Sequence, residues 1–179
     1  VDMSLFREDW QLSQFWYDDA TADQLAREAI AQCPPGGRIG CISSPSAFVG
    51  FERQPESDPA HAHFCRATVF EIDERFAVFG DRFVRYDFNR PRAVPPALVG
   101  QFDVLVVDPP FLSEACWTQT AETVRLLSHA ATKWIINTGE VMTAFVEGLG
   151  TTKCAWRPRH SNALSNPFCC YTNFAPTVL

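Results

Sequence analysis

Residues 102–111 read FDVLVVDPPF. Val104, Leu105, Val106 and Val107 do not alternate polar with apolar. The run therefore predicts a strand covered on both faces, the pattern of a parallel sheet in an α/β protein. Sheets of that kind bind ligands at the carboxyl ends of their strands, and Asp108 stands at that end. Pro109 and Pro110 carry no backbone N–H and fix two φ angles, so the loop holds carbonyls without ladder partners. With the flat ring of Phe111 they form an acceptor-rich pocket for an amino group on something planar or cationic. A strand-ending turn explains Asp-Pro-Pro alone; the buried strand before it and the ring after it favour a site.

Upstream, residues 4–20 crowd Phe6, Trp10, Phe15, Trp16 and Tyr17 into an arm that must dock, either on the domain or over a pocket. Thr21-Ala22-Asp23-Gln24 matches a capping box and predicts a helix from Thr21, with Leu25, Ala26, Ala29, Ile30 and Cys33 along one face. Pro34-Pro35-Gly36-Gly37 ends it. A strand at 38–42 leads into Ser43-Ser44-Pro45-Ser46, where a nucleotide-binding domain places its first glycine-rich turn. No G-x-G-x-x-G is present, though small serines let a ligand approach and cap the next helix. A second strand at 67–70 is ended by Glu71, in the place where an acid commonly accepts from both ribose hydroxyls. Asp73 behind it is equally a helix N-terminal charge. Residues 73–80 predict a short helix closed by Gly80. A third strand at 83–86 stops at Asp87. Glu71, Asp87 and Asp108 thus put three carboxylates along one sheet edge.

Downstream, Ser113 caps a predicted helix to about residue 130, with Cys116, Thr120, Val124 and Leu127 inward. A strand at 133–137 and a helix at 139–149 follow, the latter with Met142, Phe145, Val146 and Leu149 inward. Alternating strand and helix imply right-handed crossovers and a parallel sheet. Residues 153–156 and 168–174 are predicted strands joined without a helix, an antiparallel hairpin at the sheet edge.

The 179 residues suit one domain, and 46% hydrophobic with 13% aromatic content suits a compact core. A net charge of -6 weighs against gripping phosphate backbones and suits a basic partner. Seven scattered cysteines without a C-x-x-C pair read as reduced thiols. His61 and His63 near Cys65 lack a second ligand cluster, so no metal is expected. Residues 54–63 read as a polar surface loop. With no signal peptide and no apolar run long enough to span a bilayer, a soluble cytoplasmic monomer is expected.

Five α/β units closed by a terminal hairpin resemble the Rossmann-like, seven-stranded S-adenosylmethionine-dependent methyltransferases. Asp108 to Phe111 resembles the [DN]-P-P-[YFW] signature of those that methylate exocyclic or side-chain nitrogens. More closely, LSQFWYDDATADQLA (12–26), FEIDERFAVFG (70–80), VVDPPFLSEAC (106–116) and PRHSNALSNPFCCYTNF (158–174) are similar to the eukaryotic elongation factor 1-alpha lysine methyltransferase family, once labelled N6-adenine-specific DNA methyltransferase-like. The resemblance implies an arm and helix at 1–35 and a catalytic core at 36–179. It implies S-adenosylmethionine as cofactor, with S-adenosylhomocysteine as product. Asp108, Pro109, Pro110 and Phe111 would surround the acceptor nitrogen, Glu71 lie near the ribose and Asp87 near the adenine amine. Gln14, Phe15 and Trp16, with Tyr17, would complete the cofactor pocket. The methionine carboxylate is left to Ser43 and Ser44. The implied substrate is elongation factor 1-alpha, and the alternative is an adenine amine of RNA or DNA. Adenine methylation calls for a basic track and, on a duplex, base flipping. Lys153, Arg157, Arg159 and His160 make only a small cluster, so protein lysine is favoured. An ionised Asp108 is expected to hold that lysine charged, leaving its proton to water within the site.

Overall fold

The computed structural model describes residues 3–54, 66–162 and 164–179. All but the first residue of the loop expected at 54–63, and the His61, His63 and Cys65 group, lie outside them. Strand β4 (Phe102–Val107) is buried on both faces. Val104 and Val106 join one apolar cluster with Ile39, Cys41 and Val69, while Leu105 and Val107 join another with Ile42, Phe70 and Ile136. Two dry faces are why the stretch shows no period of two.

Around it, β1 (Arg38–Ile42) pairs in parallel with both β4 and β2 (Arg66–Glu71), β2 with β3 (Phe83–Arg85), and β4 with β5 (Ser128–Gly139). The chain then reverses. β7 (Phe168–Thr172) inserts antiparallel beside β5, and β6 (Thr152–Lys153) closes the edge against β7. The order is β3-β2-β1-β4-β5-β7-β6, the expected seven-stranded sheet with its terminal hairpin. Helices α1 (Asp19–Gln32) and α2 (Pro45–Arg53) cover the first face, α3 (Glu114–Leu127) and α4 (Thr143–Glu147) the second. Cys41, Cys116, Cys169 and Cys170 are buried thiols. Among the described residues no helix is long and apolar enough to cross a membrane.

Several local expectations give way to longer-range packing. Helix α1 starts two residues before Thr21, because Asp18 is its N-cap and accepts from the Thr21 N–H at 2.8 Å. The Thr21 hydroxyl instead accepts from the Arg159 N–H at 3.0 Å. Helix α3 stops at Leu127, not residue 130: the next residues already form β5 against β4, and there the Thr132 hydroxyl donates to the Phe102 carbonyl and accepts from the His129 N–H. The helix expected over 139–149 is a 3₁₀ turn, Glu140–Met142, followed by the short α4. Met142 and Val146 face inward, but Phe145 is 40% exposed. The segment Glu74–Arg82 is 3₁₀ rather than α, capped by Asp73, with Gly80 inside it at φ 62°. The hairpin strands are shorter than expected.

The arm docks on that 3₁₀ segment. Phe6 stacks on Phe76 at 4.3 Å between ring centroids, Trp16 meets Phe76 edge-on, and the Trp16 indole N–H donates to the Phe6 carbonyl at 2.8 Å. Trp10 takes no part in this docking and is 75% exposed.

Helices α1 and α2 touch at Gly50, where an added Cβ would lie 2.5 Å from the Ala22 carbonyl oxygen. Gly50→Ala is therefore expected to destabilise the fold by about 1–3 kcal/mol through overpacking. Urea unfolding should show a lower midpoint at unchanged slope.

Candidate active site

Parallel register brings the functional residues together. The Asp108 N–H donates to the Ile42 carbonyl at 3.0 Å, the Ser43 N–H to Phe70 at 2.8 Å, and the Tyr86 N–H to Glu71 at 2.9 Å. The strands end nearly level, with Ile42 opposite both Val107 and Phe70 and Glu71 opposite Arg85. Ser43, Glu71, Asp87 and Asp108 therefore emerge along one edge, where a cavity of about 560 Å³ opens. Every residue expected at the site lines this cavity: the four just named with Ser44, the loop Pro109, Pro110 and Phe111, and from the arm Gln14, Phe15 and Trp16.

The acceptor loop is gripped by the arm. Tyr17 donates its phenol O–H to Asp108 Oδ2 at 2.6 Å, and the Ser13 hydroxyl donates to the Pro110 carbonyl. Phe111, 43% exposed, meets Phe88 edge-on at 5.8 Å and leaves a face at the cavity mouth. Burial pushes the Asp108 carboxyl up to about 8; the Tyr17 hydrogen bond pulls against this, and the charge of Glu71 adds to it. Burial likewise raises Glu71 to about 7, although its Oε1 accepts the N–H groups of Ile72 at 2.9 Å and Asp73 at 3.3 Å, and Arg75 also pulls it down.

On the cofactor side, Ser43 turns at φ 49°. A serine thus takes the left-handed conformation that glycine supplies in a fingerprint turn. Ser44 follows at the start of α2, and its buried hydroxyl has no hydrogen-bond partner among the described residues. Asp87 Oδ1 accepts from the backbone N–H and side-chain amide of Asn89. Gln14 and Trp16 are committed elsewhere. The Gln14 amide donates to Asp73 and accepts from Asp9 N–H and Arg75, and the Trp16 indole is bound to Phe6. They build the cavity wall with these bonds already made, whereas Phe15 is half-buried beside them. Among the described residues no group of three His, Cys, Asp or Glu side chains is placed to hold a metal.

His160 was counted only as a basic residue of the sequence. Its ring packs 4.8 Å from Tyr17 and 4.7 Å from Phe168 on the cavity wall. Burial lowers its pKa to about 4 against the opposing charges of Glu8 and Asp18, so it is neutral. The available signal was the proline-flanked polar insert at 158–167 between the last two strands. Of the remaining basic cluster, Lys153 and Arg157 pair with Glu140.

A parallel sheet with one antiparallel strand inserted before its edge, and an acceptor loop at the end of its fourth strand, defines the class: the Rossmann-like fold of S-adenosylmethionine-dependent methyltransferases. Among solved structures, the N-methyltransferase NodS from Bradyrhizobium japonicum WM9, in complex with S-adenosyl-L-homocysteine, shares this fold with a TM-score of 0.57 at 16% identity over 94% of each chain. The chain belongs to the family described as "Probable N6-adenine methyltransferase", which matches residues 8–176. It is 43% identical over 170 residues to EEF1A lysine methyltransferase 1 of Gallus gallus, covering 94% of this chain and 76% of the relative. With the Mus musculus protein of the same name it is 41% identical over 175 residues, covering 97% and 78%.

A carboxyl that binds its proton more tightly when folded adds stability at low pH and loses that contribution as pH rises through its folded pKa. For Asp108 the window runs from the ordinary carboxylate range near 4 to about 8. Asp108→Asn should therefore gain stability on the unaltered protein progressively across that window. Denaturant melts of cofactor-free protein at stepped pH measure it; a pH-independent difference would contradict the buried, proton-retaining carboxyl.

Proposed function

We propose that the chain is an S-adenosylmethionine-dependent protein-lysine N-methyltransferase acting on translation elongation factor 1-alpha. The observation that carries this reading is the intact Asp108-Pro109-Pro110-Phe111 loop with its buried carboxyl, in a chain 43% identical to a relative named for that lysine reaction. The family description names adenine, and the loop suits an exocyclic amine as well. The lysine reading is preferred because the net charge is -6, Glu140 pairs with two members of the small basic cluster near the end of the chain, and His160 is neutral. The reading includes a monomer working where elongation factor 1-alpha works, in the cytoplasm.

The residues present fit the cofactor. A cavity of about 560 Å³ is within the usual range for a ligand of this size. Glu71 and Asp87 offer acceptors for ribose hydroxyls and the adenine amine, and the unpartnered Ser44 hydroxyl is a buried group that a ligand carboxylate would satisfy. When bound, S-adenosylmethionine supplies a methyl group on a sulfonium sulfur, which keeps the carbon–sulfur electron pair as the substrate nitrogen takes the carbon.

The chain's own part is to orient and deprotonate. Asp108 and the Pro109 carbonyl accept hydrogen bonds from the lysine nitrogen and aim its lone pair, while Phe111 and Phe88 flank the aliphatic stem. A free lysine near 10.4 loses its proton at neutral pH at a cost of roughly 4 kcal/mol. An ordinary aspartate near 3.9 would be a base about six units too weak. With its carboxyl pushed up to about 8 by burial, Asp108 lies within a few units of the ammonium, and its ionised fraction can take that proton. On this reading Asp108 receives the proton rather than only holding the ammonium charged.

Purified protein given radiolabelled cofactor should label elongation factor 1-alpha and leave tRNA, rRNA and DNA unlabelled; label on a nucleic acid instead would overturn the lysine reading. Asp108→Ala should abolish transfer while retaining cofactor binding. Glu71→Ala should weaken cofactor affinity by about 1.5–3 kcal/mol for lost charge-assisted bonds, read by calorimetric titration, with an unchanged dissociation constant removing it from the site.

A further inference from the structure

Tyr17 is the side chain most firmly held against the acceptor loop. It is 3% exposed, and its hydroxyl donates to Asp108 Oδ2 at 2.6 Å. Its backbone is fixed from two sides. The Tyr17 N–H donates to the Ser46 hydroxyl at 3.3 Å. The neighbouring residues pair with the segment before β7, Asp18 N–H to the Arg159 carbonyl at 3.0 Å and Ser161 N–H to the Trp16 carbonyl at 2.8 Å, and the Ser161 hydroxyl donates to the Tyr17 carbonyl. The His160 ring backs the phenol. So many restraints on one ring leave the hydroxyl a single direction.

We propose that, in the methyl transfer described above and resting on that reading, Tyr17 is a positioning residue: its hydroxyl bonds Asp108 Oδ2, favours the carboxylate over the acid, and leaves Oδ1 to face the lysine nitrogen. The proton passes from the substrate ammonium to Asp108 Oδ1, the nitrogen keeps the lone pair, and the resulting carboxylic acid returns the proton to solvent after product leaves. Tyr17 retains its own proton throughout. Burial and the adjacent Asp108 charge push the phenol well above its ordinary range, which keeps it a donor.

The charged and titratable groups around this pair come from several elements. Asp108 faces Tyr17 from the arm and Glu71 from β2; Glu71 is in turn flanked by Asp73 and Arg75. Tyr17 also faces Cys170 on β7 and the neutral His160. The Glu71 charge and burial both oppose ionisation of Asp108. Against them, the Tyr17 hydroxyl supports the carboxylate.

The test is the pH dependence of kcat with elongation factor 1-alpha as substrate. Removing a donor from a carboxylate raises its pKa, so Tyr17→Phe should move the acid limb of the profile to higher pH, by on the order of one unit. Replacing Tyr17 by 3-fluorotyrosine keeps its shape and strengthens the donor, and should move the limb the other way. The fluorinated protein preserves the test if Tyr17→Phe does not fold. A merely structural tyrosine would lower the rate equally at every pH, and unmoved limbs would overturn the positioning role while leaving the methyltransferase reading intact. Absence of transfer by the unaltered protein would overturn that reading and the positioning role with it.

Discussion

Strand β1 is paired in parallel on both sides, and β1, β2, β3 and β4 end nearly level. Everything at the site depends on this register. It aligns the ends of four strands, so that acids spread across 38 residues of sequence, from Glu71 to Asp108, meet at one wall. It also removes them from water. Carboxyls of like sign in a poorly solvated place cannot all ionise cheaply, which is why Glu71 rises to about 7 and Asp108 to about 8. A sulfonium and an ammonium both bring the positive charge that such an edge lacks.

Another carboxylate shows the contrast. Glu28 on α1 is fully buried, but accepts backbone N–H groups from Thr177 and Val178 and the Thr177 hydroxyl. Its lone pairs are filled by the protein, so it braces the end of the chain against a helix. Asp108 receives one strong donor, from Tyr17, and retains an oxygen for other work. Donor count distinguishes Glu28, satisfied by the chain around it, from Asp108.

Features written in a short window were legible in the sequence. Burial of β4 on two faces shows as missing alternation over four residues, and the acids at the strand ends show because a strand and the residue after it are read together. The start of α1 was misplaced because Asp18 and Thr21 are both good caps, and the choice was made by Arg159, which needs the Thr21 hydroxyl. Phe145 fits a helical face in sequence yet lies outside, since only one turn of true α-helix forms there. Gln14 and Trp16 line the cavity as the sequence suggests, but the partners of their side chains, one of them 59 residues distant, are not visible in it. His160 escaped notice for the same reason: its place against Tyr17 is set by a loop folding back on the other end of the chain.

That fold-back also governs when the site can exist. The rim is closed by short pairings between residues 16–18 and 159–161, one of them joining groups 144 positions apart. Loop-closure entropy makes such contacts late arrivals in folding. The sheet can form with the arm still loose, but Asp108 acquires its tyrosine only when residues 159–161 have folded back onto the arm. A nascent chain lacking its last two strands would carry the acceptor motif without a working pocket, so competence arrives as the final event of folding.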